Sequence, residues 1–163
     1  MRITPFLLTV LCSSVLVACG GGGDDAPAAD VADKYVGTLT SCESEGANSG
    51  KFSVVNTKTS ATTVRYAITI TVHMGSTTCS GSGMTVYTEE GNVTYKGTKV
   101  IGSDTVDLGE GTVTADNDQT TTEPRTEKDI SLISGNRIYF GDDSVGADGY
   151  PNAIDREFFL TKQ

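Results

Sequence analysis

Tryptophan is absent from this 163-residue chain, and histidine occurs once, as His73. A single imidazole excludes zinc sites built from several histidines, and it leaves any Ser–His–Asp arrangement only one base to use. The Gly-x-Ser-x-Gly turn of α/β-hydrolases is missing too, since Ser80-Gly81-Ser82-Gly83 has the order reversed. Segment 46–51 is one residue short of a phosphate loop and reads as a turn. Basic residues are scarce: 12 Lys and Arg stand against 21 Asp and Glu, a formal net charge of −9. So acidic a chain repels polyanions, and nucleic acid is not expected among its partners. Long apolar runs are lacking as well. The longest, 5–17, is about 13 residues, where a spanning helix needs ~20.

What is present is a body rich in Thr, Val, Ile and Tyr, punctuated by Gly, Asn and Asp. These are strand formers separated by turn formers. In 62–74, Val64, Tyr66, Ile68, Ile70, Val72 and Met74 alternate with Thr63, Arg65, Ala67, Thr69, Thr71 and His73. Period-2 alternation of this length predicts a long antiparallel strand with one buried and one wet face. It places His73 on the wet face. Shorter strands are expected at 35–42, 51–56, 83–88, 92–101, 104–108, 112–115, 127–133, 137–140 and 156–161. Turns are read at 89–91, 109–111 and 134–136, with a polar loop over 116–126 around Pro124. About 8–9 short strands without a convincing helix imply an all-β domain, either an antiparallel up-and-down barrel or a β-sandwich. The barrel is preferred because closure protects strand edges.

The N-terminus carries a processing pattern. Arg2 precedes the apolar run, and Leu16-Val17-Ala18-Cys19 is followed by Gly20-Gly21-Gly22-Gly23. This resembles the lipobox of bacterial lipoproteins and the signals of many small Gram-negative lipoproteins. The resemblance implies cleavage after Ala18, a diacylglyceryl thioether on Cys19 with a further N-acyl chain such as palmitate, and attachment to a membrane. Each buried acyl methylene contributes ~0.8 kcal/mol to such anchoring. In enteric bacteria an Asp after the lipidated cysteine retains the protein in the inner membrane, so Gly20 points to the outer membrane. The expected organisation is a signal peptide over 1–18, a lipidated cysteine and flexible tether over 19–33, and one β-domain over 34–163. Losing Arg2 alone leaves 11 basic against 21 acidic residues, a net charge of −10. Cys12 leaves with the signal and Cys19 is consumed by lipid. Cys42 and Cys79 then remain in an oxidising compartment, with a disulfide preferred over two free thiols or a metal pair. The bridge closes roughly 38 residues and stabilises the fold by ~4 kcal/mol in the chain-entropy model.

A second resemblance concerns the domain. Lys34-Tyr35-Val36-Gly37-Thr38-Leu39 is similar to the opening of the lipocalin and calycin barrels, whose first strand begins Gly-x-Trp. Leu39 stands where that family has Trp, and Arg156 is a loose counterpart of its arginine near the last strand. The resemblance implies a calycin-like shape and carries no ligand with it.

Chemistry is sparse. Asp142, Asp143 and Asp148, in a glycine-rich acidic loop, supply oxygen atoms of the type that binds Ca²⁺, although no bidentate Glu completes an EF-hand. Glu89 and Glu90 read as a hairpin tip, outside any cleft. Asn92-Val93-Thr94 is formally a glycosylation sequon. No cofactor is expected. The inventory predicts a non-enzymatic binding or interaction module, anchored in the membrane by lipid, whose partner is a small apolar ligand or an envelope protein. A structural or protective role, such as enzyme inhibition, is the alternative, and a hydrolase the remaining one.

Overall fold

The computed structural model describes residues 30–117 and 119–163. The lipobox, Cys19 and most of segment 19–33 lie outside the described residues. Eight strands follow one another: β1 (Gly37–Glu45), β2 (Asn48–Lys58), β3 (Thr63–His73), β4 (Met84–Ile101), β5 (Asp104–Asp116), β6 (Gln119–Ser134), β7 (Arg137–Gly141) and β8 (Ile154–Lys162). Each pairs antiparallel with the next, and β8 returns to β1 through Leu39↔Lys162 and Thr40↔Thr161. The domain is therefore a closed up-and-down barrel, and the sandwich alternative is set aside.

In β3 burial alternates over Thr63–Tyr66, residues 67–72 are half-buried on both faces, and Met74 just after it, expected on the buried face, is 72% exposed. Val64 and Tyr66 are buried in the inner core, and Ile68 packs against it. His73, expected on the wet face, is instead only 6% exposed. It does project outward, but segment 74–83 folds back over that part of the wall. The Cys42–Cys79 disulfide fixes this strap to β1. Asn48 accepts from the Gly75 N–H at 2.9 Å, and Ser49 from the Cys79 N–H at 2.9 Å, tying it to β2.

The sequence also suggested more strands than form. β4 runs unbroken through 89–91, and β5 through 109–111. Glycine in a strand can mark a bulge or a close backbone approach as well as a turn. Between Glu90 and Gly91 the register with β5 shifts, and Thr114 is the extra residue of a bulge opposite them. A β-carbon on Gly91 would come within 2.5 Å of the Tyr66 hydroxyl. The loop expected over 116–126 is largely the start of β6. Its pairing jumps from Val113↔Arg125 to Ala115↔Thr120, so Pro124 falls between paired stretches, where its missing N–H costs no ladder bond.

One end of the barrel is plugged. A 3-10 turn, Val31–Lys34, buries Val31 and Ala32, and its continuation buries Tyr35. The Ala32 N–H donates to the Ala61 carbonyl at 3.1 Å. Val31 and Ala32, just before residue 34, thus pack into the core. A second apolar cluster, Val106, Ile130, Leu132 and Tyr150, gathers separately from the inner core. Here the long β7–β8 connection contributes Tyr150 against residues of β5 and β6.

Candidate ligand cavity

Above the plug the barrel encloses a cavity of about 280 Å³. Registered rows of side chains explain why space remains. In one row Tyr95 on β4 pairs with Gly109 on β5, which pairs with Asp129 on β6. In the next, Val93 pairs with Gly111, and Gly111 with Glu127. Two inward glycines, two residues apart, leave β5 bare between an apolar strand and an acidic one. A β-carbon on Gly111 would touch only the Glu127 carbonyl oxygen, at 3.8 Å.

The walls divide by chemistry. Leu39, Val54, Val64, Ile68, Val93, Ile138 and Leu160 supply aliphatic surface, and Phe52, Phe140 and Phe158 supply rings. Phe158 meets Phe52 edge-on, with centroids 5.7 Å apart. At the plugged end Tyr35 stacks on Tyr95 at 4.3 Å. Its hydroxyl donates to Asp107 at 2.7 Å, and Lys34 pairs with the same carboxylate at 3.1 Å. Burial, with help from neighbouring Tyr95 and the bond to Asp107, raises the Tyr35 pKa far above that of a free phenol.

Three carboxylates line the cavity: Glu89, Glu127 and Asp129. Glu89 is well satisfied. It accepts from the Tyr66 hydroxyl at 2.9 Å, the Tyr87 hydroxyl at 2.7 Å and Arg125 at 3.2 Å. Its bond to Tyr87, with some burial, pushes that phenol up to about 12. Burial and then Glu89 raise the Tyr66 pKa as well. Glu127 pairs with Arg125 at 2.6 Å, and its side chain is 61% exposed, marking the open end.

Asp129 differs from both. One of its oxygens accepts the backbone N–H groups of Ile130, at 2.7 Å, and Gly141, at 3.0 Å. Among the described residues no cation pairs with it. Burial pushes its carboxyl up to about 6; the two N–H donors oppose the shift, and the Glu127 charge adds to it. No Lys or Arg appears among the residues lining the cavity. Asn56 lines it too, donating from Nδ2 to the Tyr35 carbonyl at 3.1 Å. That bond fixes the amide orientation and leaves Oδ1 buried without a partner.

The residues singled out from sequence fall elsewhere. The expected Cys42–Cys79 disulfide is formed. Asp142 accepts from the Ser144 N–H and hydroxyl, and that hydroxyl bond holds its pKa below the usual carboxylate range. Asp148 pairs with Lys99 at 3.0 Å and accepts from the Tyr150 N–H, the lysine chiefly lowering its pKa. Asp143 is exposed. Among the described residues no three metal-ligating side chains converge; Asp142 serves a local turn, and Asp148 a turn and an ion pair. Arg156 lies 5.5 Å from the Tyr139 ring centroid and pairs with Asp104. Glu89, expected at a hairpin tip, faces the cavity from mid-strand. The cavity's acidic side was not read from sequence. Its available signal was Gly109-x-Gly111, a period-2 pair that empties one face of a strand.

A larger recess, about 540 Å³, lies between the strap and β8, lined by charged groups such as Lys51, Glu43 and Glu157. The interior cavity has the apolar walls and few converging polar groups that a small-molecule site needs. Comparison with family models, curated proteins and solved structures finds no match for this chain.

Proposed function

We propose that this protein is a lipid-anchored envelope module that binds a small molecule inside its barrel without transforming it. The observation that carries the reading is the 280 Å³ cavity with mostly apolar walls. Its size corresponds to about nine water-sized groups, near the lower end of small-molecule sites. A non-enzymatic role is favoured because His73, the one histidine, lies beneath the strap rather than among the residues lining the cavity. The anchor reading rests on Leu16-Val17-Ala18-Cys19 and the Gly run after it. Chain 19–30 would join the barrel at its plugged end. Attachment there leaves the open end clear of the anchor, and Gly20 favours the outer membrane.

Two measurements test this reading. Native protein is expected to partition with membranes, and the Cys19→Ser chain to be soluble; equal partition would overturn the anchor. The neutral fluorophore N-phenyl-1-naphthylamine, added to the Cys19→Ser chain, is expected to bind once per chain with micromolar Kd. Gly111→Leu, which places a side chain in the cavity, is expected to abolish binding. No binding, or binding unchanged by Gly111→Leu, would overturn the cavity reading.

A further inference from the structure

We propose that the molecule held in the barrel is a primary ammonium compound with a compact apolar body, and that Asp129 is its charge anchor. The proposal rests on the cavity reading and specifies its ligand.

Three independent features point to a cation that carries N–H donors. The first is the unmatched charge. Glu89 and Glu127 share Arg125, but Asp129 has no cationic partner among the described residues. Isolated carboxylates in apolar surroundings are costly unless something compensates them. Two backbone N–H groups compensate one oxygen only.

The second feature lies on another strand. Asn56 is 9% exposed, and its Oδ1 has no donor in the protein. An unsatisfied buried acceptor is rare enough to require a reason. Here the amide cannot turn to cure it, because Nδ2 already serves the Tyr35 carbonyl. Among the residues lining the cavity, side-chain oxygens without a protein donor thus belong to Asn56 on β2, where Oδ1 is fully buried, and to Asp129 on β6. A carboxylate or phosphate ligand would meet carboxylates with no Lys or Arg among the lining residues, and would be repelled.

The third feature is the aromatic lining. Tyr66, Tyr95, Phe52 and Phe158 present rings to the same space. Ring faces attract ammonium groups while accepting hydrocarbon equally well. A primary ammonium satisfies Asp129 and leaves its alkyl or aryl body against the aliphatic wall. The net negative charge of the chain favours approach of such a ligand from solution.

The test is titration of the Cys19→Ser chain with three probes of matched length, octylammonium, octanol and octanoate, at pH 7.5 in physiological salt. The expected result is single-site binding of octylammonium at least tenfold tighter than octanol, with octanoate weakest. Asp129→Asn should reduce the octylammonium affinity at least tenfold and leave octanol within twofold. A melting curve confirms that this variant is folded, and the ranking of probes on the unsubstituted Asp129 chain stands without it. Octanol equal to or tighter than octylammonium would overturn the proposal while leaving the cavity reading intact. Binding of no probe, or binding indifferent to Gly111→Leu, would overturn both. Octylammonium binding untouched by Asp129→Asn would remove Asp129 as the anchor.

Discussion

The Tyr35 hydroxyl donates to Asp107 at 2.7 Å, linking the plug at the start of the domain to β5. Lys34 reaches the same carboxylate from solvent, so a buried charge is held by one neutral and one cationic donor. Tyr35→Phe removes the neutral donor and leaves the ring stacked on Tyr95. Losing a hydrogen bond to a charged group costs about 1.5–3 kcal/mol. The expected outcome is destabilisation of that size in urea melts.

Two glycines on neighbouring strands should respond oppositely to the same change. Gly91→Ala drives a methyl group toward the Tyr66 hydroxyl and the Thr112 carbonyl, and overpacking of this kind costs about 1–3 kcal/mol. Gly111→Ala meets ordinary contact and removes backbone freedom from the unfolded chain, a gain of about 0.5–1 kcal/mol. Urea midpoints of the two variants should move in opposite directions.

That contrast also explains how far the sequence was legible. Period-2 alternation in β3 and the hairpin around Ser134-Gly135-Asn136 identified strands because the local pattern matches the strand pairing formed there. Glycine misled because one residue type serves turns, bulges and cavity walls. Gly91, Gly109 and Gly111 look like turn residues until the opposing strand is known. His73 misled for a related reason: its face is polar, but the strap covering it arrives through a disulfide between distant residues. Asp129 sits between Lys128 and Ile130 in a segment whose inward face only the register with Gly109 reveals.

Removing the disulfide should have two separable effects. Cys42→Ser with Cys79→Ser restores freedom to the unfolded chain over a sequence separation of 37 residues, a loss of ~4 kcal/mol in the chain-entropy model. It also releases the strap from β1. His73, with neither ring nitrogen hydrogen-bonded, should then become accessible. Thermal melts measure the first effect, and acylation of His73 by diethyl pyrocarbonate the second. Reactivity equal to that of the bridged protein would show that the bonds through Asn48 and Ser49 suffice to hold the strap.

Asp129 gives the barrel a distinctive dependence on pH. Its carboxyl titrates near 3.8 in the unfolded chain and, because burial disfavours the anion, at about 6 in the folded one. Between those values the folded protein binds more protons at this site than the unfolded chain does. Stability from the site therefore falls as pH rises through that window, then stays constant. A shift of about two units corresponds to a deficit of ~3 kcal/mol at high pH. Asp129→Asn keeps an acceptor for the N–H groups of Ile130 and Gly141 and has no titration. Subtracting the two stability curves cancels the other carboxylates. The variant should come close to the parent near pH 4, exceed it increasingly as pH rises through about 6, and hold that margin to pH 8. A difference of equal size at both pH values would mean that the carboxylate's charge is not what burial penalises. With octylammonium bound, the anion gains its missing partner, so the gap at pH 8 should shrink.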